Sequence, residues 1–384
     1  MAKKLLFVIN EAYFLLSHRL AIATLAKNAG WEIHVAAPIA HVWAPAGFSA
    51  SEIEAQGFHF HAIPLSRRGK NPFVDMRTFA ALWRLYRQLR PDLIHLVTMK
   101  PNLYGGLAAR FARVPAVVFA VSGLGQIFVA VGPSAAVLRL LVTYLLQRSL
   151  QHPNCRVIFQ NPDDRNTLVR KNVVDAGATV MIRGSGVNLD LYKPGPLPRG
   201  RPVILLASRL IWEKGIGEFV AAARQLRDAG ASARFVLVGD THASNPRTVP
   251  RETLESWVRE GVVEWWGFRA DMTAVLAQCA VVCLPSTYGE GVPRILLEAA
   301  ASGRPIVTTN IPGCREAVLD GVSGYLVPVG NSSALEERLL ALINDPGRRA
   351  SFGTEGRRLV ETQFDERTIA NRTLKGYEEL YEQS

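Results

Sequence analysis

The sequence predicts an α/β protein: two parallel, doubly wound sheets in two domains of similar size. Three observations carry this prediction. Short apolar runs alternate with longer helix-like stretches, which is the rhythm of βαβ units. That rhythm runs twice, with a Gly- and Pro-rich pause over 184–201. At 384 residues the chain also exceeds what one hydrophobic core usually serves.

In the first half the strands fall at 5–9, 32–36, 93–96, 117–121 and 157–159, with helices such as 17–29 and 75–89 between them. Strands resume at 203–207, 235–238, 262–265, 281–284 and 306–308. The domains are then 1–185, a linker over 186–202, 203–365, and a closing helix over 366–384 with the option of crossing back to the first domain. In such folds ligands bind beyond the carboxyl ends of the strands, here at a cleft where the two domains meet.

Composition narrows the class. With 48% hydrophobic residues this is a globular chain, not a disordered one. Residues 1–170 hold 19 Lys/Arg against 8 Asp/Glu, whereas 171–384 hold 25 of each, so the whole net charge of +11 sits in the first half. That asymmetry points to a polyanionic partner such as a membrane surface or a phosphorylated substrate. Nucleic acid is not expected, because no recognition module is present. The four cysteines lack zinc-ligand spacing, and Cys279 and Cys283 lie in an apolar run, which predicts buried, reduced thiols in the cytosol.

The apolar run after Lys3-Lys4 ends at Asn10-Glu11, too soon for a cleavable signal, and reads as a first strand. Segment 134–150 carries only Arg139 and Arg148 as charges. It is either a core helix, which predicts full burial, or a helix lying in a bilayer interface.

The chemistry concentrates at the strand ends of the second half. Arg209 and Lys214 follow the strand 203–207, where two cations suit a diphosphate. Gly267 and Phe268 follow 262–265 and offer main-chain and aromatic groups to frame a base. The stretch Ser286-Thr-Tyr-Gly-Glu290-Gly-Val-Pro-Arg-Ile-Leu-Leu-Glu298 runs from a strand end through a Gly/Pro turn into a helix, with Pro293 suited to the first turn. Loop amides and a helix N-terminus suit an anion, while Glu290 and Glu298 accept hydrogen bonds from hydroxyls. Together these suit a nucleotide-sugar. On the first-domain side, His18, Thr98, Lys100 and Asn102 sit near strand ends as acceptor-side candidates, able to touch acceptor or donor. His95, flanked by Ile94 and Leu96, reads as a core residue.

Ser-Arg-Leu…Glu-Lys-Gly, Gly-Phe-Arg, Ser-Thr-Tyr-Gly-Glu-Gly-Val-Pro…Leu-Leu-Glu-Ala, Gly-Arg-Pro-Ile-Val-Thr-Thr and Gly-Tyr-Leu-Val occur in that order. This series resembles the retaining glycosyltransferases of family 4. In the first half, Ser17-His-Arg, Asp92-Leu-Ile-His…Thr-Met-Lys-Pro-Asn-Leu-Tyr-Gly and Val121-Ser-Gly-Leu-Gly resemble the enzymes that add N-acetylhexosamines to polyprenyl-diphosphate-linked sugars. The resemblance implies a GT-B fold, two Rossmann-like domains facing a central cleft. It also implies that Arg209 and Lys214 bind the donor diphosphate and that Glu298 takes the ribose hydroxyls. Glu290 and the Gly291-Val292-Pro293 backbone then meet the donor sugar and phosphates.

No Asp-x-Asp occurs in the chain, which fits cations doing the work a divalent metal does elsewhere; no metal and no cofactor beyond the UDP-sugar co-substrate are expected. Two positions depart from the family pattern: Asn10-Glu11 stands where many members carry a Gly pair, and Val97 where many carry a second histidine.

The reading is therefore a UDP-sugar-dependent, configuration-retaining transferase. Its expected acceptor is a lipid-linked diphosphate saccharide. Its expected location is the cytoplasm, bound to the anionic inner-leaflet surface through the basic half, the 66–70 loop and segment 134–150. A nucleotide-sugar 2-epimerase, a non-catalytic sugar-nucleotide-binding protein and a glycogen-type transferase stay open as alternatives.

Overall fold

The structure, a computed structural model, describes residues 2–39, 48–66, 71–124, 133–241 and 245–384. Four residues of the basic loop, 67–70, and Gly125 of the glycine-rich segment fall outside these ranges. The chain forms two compact units, Met1–Ser185 with Arg367–Ser384, and Gly186–Glu366.

The first unit is built on strands β1 (Lys3–Ile9), β2 (Trp31–Ala37), β3 (His59–Ala62), β4 (Leu93–Val97), β5 (Ala116–Val121), β6 (Cys155–Phe159) and β7 (Thr179–Met181). All pair in parallel, in the order β3-β2-β1-β4-β5-β6-β7. Strands buried on both faces read as continuous apolar runs, and the central strands β4 and β5 are buried at every position. Helices α1 (Tyr13–His18), α2 (Leu20–Asn28), α3 (Ser51–Glu54), α4 (Pro72–Leu89), α5 (Gly106–Ala112), α6 (Pro133–Leu150) and α7 (Pro162–Arg170) connect them.

The single helix expected over 17–29 begins earlier, at Tyr13, and is interrupted at Arg19, whose φ of −130° is not helical. Helix α4 starts three residues before the expected position. Asn71 caps it by accepting from the Phe73 amide at 3.0 Å, and Pro72 supplies a preset φ.

The second unit holds β8 (Val203–Ala207), β9 (Arg234–Val238), β10 (Glu264–Trp265), β11 (Val281–Leu284), β12 (Ile306–Thr309) and β13 (Gly324–Val327), in the order β10-β9-β8-β11-β12-β13. Its helices are α8 (Ile216–Asp228), α9 (Arg251–Arg259), α10 (Met272–Ala277), α11 (Arg294–Ala301), α12 (Ser332–Asn344) and α13 (Pro346–Gln363). Only two residues of the strand expected at 262–265 pair, because Val262 and Val263 instead turn into the core at 4% exposure each. The stretch expected as a linker is no free tether. Val187 and Tyr192 are buried in this unit's core, and the Val187 amide donates to Phe364 O at 2.8 Å.

A last helix, α14 (Glu366–Glu382), packs into the first unit. Tyr377 meets His95 Nδ1 through its hydroxyl, Trp31 packs edge-on against Tyr377 at 6.5 Å, and Asn154 Nδ2 donates to Leu380 O. His95 is thus a core residue, 2% exposed and stacked on Phe7; burial first, and the Arg19 charge second, hold its pKa well below the usual histidine value. All four cysteines are free and buried, and burial pushes each thiol pKa up.

Segment 134–150 does not meet the full burial that a core helix requires. Val142, Leu146 and Leu150 of α6 are buried, but Leu140 is 72% and Leu141 54% exposed, with Val137 and Tyr144 also outward. The neighbouring α4 and α5 add exposed Phe73, Met76 and Phe111. No helix among the described residues is long and apolar enough to cross a membrane.

Candidate active site

In each unit the direction of winding reverses between two adjacent central strands, β1/β4 in the first and β8/β11 in the second. Beyond the carboxyl ends of such a pair the two loops diverge and leave a crevice. Most of the candidate residues follow the strands at these two places, whereas Gly267 and Phe268 follow β10 at the edge of the second sheet.

In the second unit, Arg209 and Lys214 follow β8, and Glu290 follows β11. Strand pairing closes a gap of 76 residues. Lys214 Nζ contacts Glu290 Oε2, and Ser286 Oγ donates to Glu290 Oε1, so each carboxylate oxygen has its own donor. The Lys214 and Glu290 side chains are only 9% and 12% exposed. Arg209, half-buried, sits on the same loop, braced where Ser208 Oγ donates to its carbonyl at 2.9 Å.

The loops are held together by backbone. The Thr287 amide donates to Glu213 O at 2.9 Å, and Arg247 Nη1 meets Glu213 Oε1 at 2.9 Å. Gly215 has φ +75° and lies so close to β11 that a Cβ would stand 2.0 Å from Pro285 O. Gly313, φ +84°, approaches the other side, where a Cβ would meet Gly291 O at 2.0 Å. The glycines are what let three loops converge behind Glu290.

Helix α11 begins at Arg294, with Pro293 as its cap residue in extended conformation rather than inside the first turn. The Leu296 amide bonds back to Pro293 O at 3.1 Å, and the amides of Arg294 and Ile295 stand at the open end of the helix. Glu298, 8% exposed, pairs with Arg294 Nη2 at 3.0 Å one turn earlier. Gly267 has φ +69° and its carbonyl accepts from the Gly239 amide at 2.8 Å, while Phe268 is 52% exposed, as a side chain that meets a ligand can be.

In the first unit, Thr98 has φ +77°, a left-handed conformation that strains a β-branched residue by about 1–3 kcal/mol. Its Oγ1 is buried with no hydrogen-bond partner among the described residues. A single turn of π-helix, Pro101–Gly105, follows. Such turns and such strain concentrate at functional sites. Lys100 Nζ pairs with Asp75 Oδ1 at 2.8 Å, and Asp75 also bonds the Tyr104 hydroxyl; desolvation first, and then Asp75, raise the Tyr104 pKa. Asn102 is fully buried, its Nδ2 donating to Ala120 O at 3.1 Å, so it shapes this turn from beneath. His18 ends α1, stacked on Phe14 at 4.0 Å with Nδ1 2.7 Å from Ser17 Oγ.

Sequence reasoning passed over Ser286, Arg294 and Asp75 as partners. Ser286 lies two residues past β11 and was visible; Asp75, on α4, had no local signal.

Comparison with known proteins fits this geometry. Residues 201–345 match the family described as glycosyl transferases group 1, and residues 4–155 the family described as glycosyl transferase 4-like. A Campylobacter jejuni protein, N,N'-diacetylbacillosaminyl-diphospho-undecaprenol alpha-1,3-N-acetylgalactosaminyltransferase, is 31% identical over 82% of this chain and 84% of its own. The chain belongs to the group 1, family 4-like glycosyltransferases. An Escherichia coli relative, UDP-Gal:alpha-D-GlcNAc-diphosphoundecaprenol alpha-1,3-galactosyltransferase, is 24% identical over 74% of both chains. Sucrose-phosphate synthase of Thermosynechococcus elongatus superposes over the whole of both chains with a TM-score of 0.83 at 21% identity. Anabaena HepE in complex with UDP-glucose covers 98% of this chain and 99% of its own, with a TM-score of 0.77 at 21% identity. The fold of this glycosyltransferase is GT-B.

Where this glycosyltransferase departs from the family pattern, the structure shows what replaces it. Glu11 is buried at 3% exposure in the loop after β1. Val97 is fully buried at the end of β4.

Proposed function

We propose that this glycosyltransferase moves a sugar, an N-acetylhexosamine, from a UDP-sugar to a polyprenyl-diphosphate-linked saccharide with retention of configuration. The observation that carries the reading is the buried Lys214–Glu290–Ser286 cluster at the β8/β11 reversal. Glu290 occupies one of the ammonium's three donors and orients the rest. With Arg209 it offers preorganised charge for the β-phosphate as the bond to the anomeric carbon breaks. The α11 amides take the remaining phosphate charge, Glu298 the ribose hydroxyls, and Glu290 the hydroxyls of the donor sugar.

As the anomeric carbon–phosphate oxygen bond breaks, the acceptor oxygen bonds the same face, and its proton passes to the leaving phosphate. Thr98 and Lys100 contact the acceptor, with His18 at the end of α1 as a further contact and Asn102 in support. The two relatives named for undecaprenyl-diphosphate-linked substrates support the acceptor class.

The test incubates the purified chain with UDP-N-acetylhexosamines and a polyprenyl-diphosphate saccharide, followed by mass spectrometry of the lipid. The expected product is heavier by one residue, formed only with the acceptor present. Conversion of the nucleotide-sugar alone would show an epimerase instead. Because two side-chain cations carry the leaving-group charge, turnover is expected to be unchanged by EDTA; loss restored by magnesium would refute this.

The basic first half and the outward apolar residues of α4, α5 and α6 support attachment to an anionic membrane. Flotation with anionic vesicles is expected to carry the protein at low salt and release it at high salt. The double change Leu140→Glu, Leu141→Glu is expected to abolish flotation while leaving turnover of a water-soluble short-chain acceptor intact. Flotation equal to that of the unaltered protein would show that α6 does not touch lipid.

A further inference from the structure

Four side chains that the reaction does not use meet on one face of the first sheet. Glu32 and His34 stand two apart on β2, and His59 and His61 two apart on β3, so each pair shares a face. Register sets His34 opposite His59. Glu32 Oε1 lies 3.0 Å from His34 Nε2 and 3.6 Å from His59 Nε2, and all three ligand atoms fall within 4.8 Å of one another.

A tetrahedral ion with bonds of about 2.0–2.1 Å keeps its ligand atoms about 3.3 Å apart, between the two distances found. The far nitrogen of His34 is already engaged: Nδ1 is 3.0 Å from His61 Nε2. A metal-bound histidine needs such a partner on its other nitrogen to fix the ring and its tautomer. The His34 side chain is 6% exposed and the His59 side chain, stacked on it at 4.8 Å, is 61% exposed, so the site opens to solvent on the His59 side.

We propose that Glu32, His34 and His59 bind one zinc-class ion, with His61 orienting His34, and that the ion pins edge strand β3 to β2. Two imidazoles and one carboxylate select a borderline metal such as Zn²⁺ or Co²⁺ over Mg²⁺ and Ca²⁺, which prefer oxygen alone. The fourth position is left to water on the exposed side. β3 is a four-residue strand at the edge of the sheet, paired with β2, and a metal clip across the two strands also covers an open edge. Glu32 and His59 lie toward the amino ends of their strands, opposite Thr98 and Lys100, so the ion contacts no reacting group and is separate from the chelator prediction for turnover.

The test strips the full chain with EDTA, dialyses it, and titrates ZnCl₂ by calorimetry and thermal unfolding. Expected are one ion per chain and a rise in melting temperature that MgCl₂ does not reproduce. His59→Ala and Glu32→Gln are each expected to weaken zinc binding at least about tenfold, and His61→Ala about 10–100-fold, while the metal-free melting temperature of His59→Ala stays at the wild-type value. Wild-type protein with Co²⁺ is expected to give the visible absorption of a tetrahedral site, which needs no variant. No zinc-dependent stabilisation at about 100 µM ZnCl₂ overturns the proposal. So does zinc binding unchanged in the double variant Glu32→Gln, His59→Ala. Either outcome leaves only a hydrogen-bonded histidine network.

Discussion

Lys214→Ala is expected to lower kcat about 10²–10³-fold, the loss seen when one preorganised donor to a developing charge is removed. The side chain is buried against Glu290, so the change has a second effect that must be kept apart from the first. Removing one partner of a buried pair strands the other charge, at a cost of about 3–5 kcal/mol in stability. Lys214→Ala combined with Glu290→Gln removes that stranded charge. The double variant is expected to regain most of the stability and none of the activity. Steady-state kinetics and urea unfolding on the three proteins check this. Activity returning together with stability would show that Lys214 only holds Glu290 in place.

Gly215→Ala is expected to be strongly destabilising at the second unit's site. Two costs add at this position. A φ of +75° strains an alanine, and the new Cβ would lie 2.0 Å from the backbone oxygen of Pro285, which cannot rotate away. The combined loss is about 2–4 kcal/mol, and it forces the Lys214 loop off β11. Gly321→Ala is the control: φ is +70° but nothing lies within 4 Å of a Cβ, so its cost is only the conformational part, about 1 kcal/mol. Urea unfolding separates the two, and donor binding is expected to weaken in Gly215→Ala alone. Equal losses in the two variants would mean that the loop yields and that the close approach to β11 does not matter.

What could be read along the chain followed from how local each signal is. The central strands were legible because a strand buried on both faces reads as an apolar run, as Leu5–Ile9 and Ala116–Val121 do. Strand β3 was not, since its His-Phe-His-Ala alternation spans only four residues, too short a window for a period of two to stand out. Helix α6 was legible as a helix, but the sequence did not decide between a fully buried and a half-exposed one. Its apolar residues run all round, so no periodicity marks which face meets the core. The break at Arg19 also escaped notice, because a 3.6-residue pattern continues across it.

The site divides in the same way. Residue types and spacing marked Arg209, Lys214, Glu290 and Glu298, because loops at strand ends carry the chemistry of a parallel sheet. The sequence alone therefore determined the fold class and the βαβ order, and it marked which strand-end residues are candidates to meet a nucleotide-sugar. Tertiary structure decided that Lys214 and Glu290 are buried together, that Thr98 is held in a left-handed conformation, and that Tyr377 completes the first unit's core. The reason is physical: propensity and periodicity act over a few residues. Contacts between residues 76 or 282 apart depend on which strand lies beside which, and packing settles that only when the whole sheet has formed.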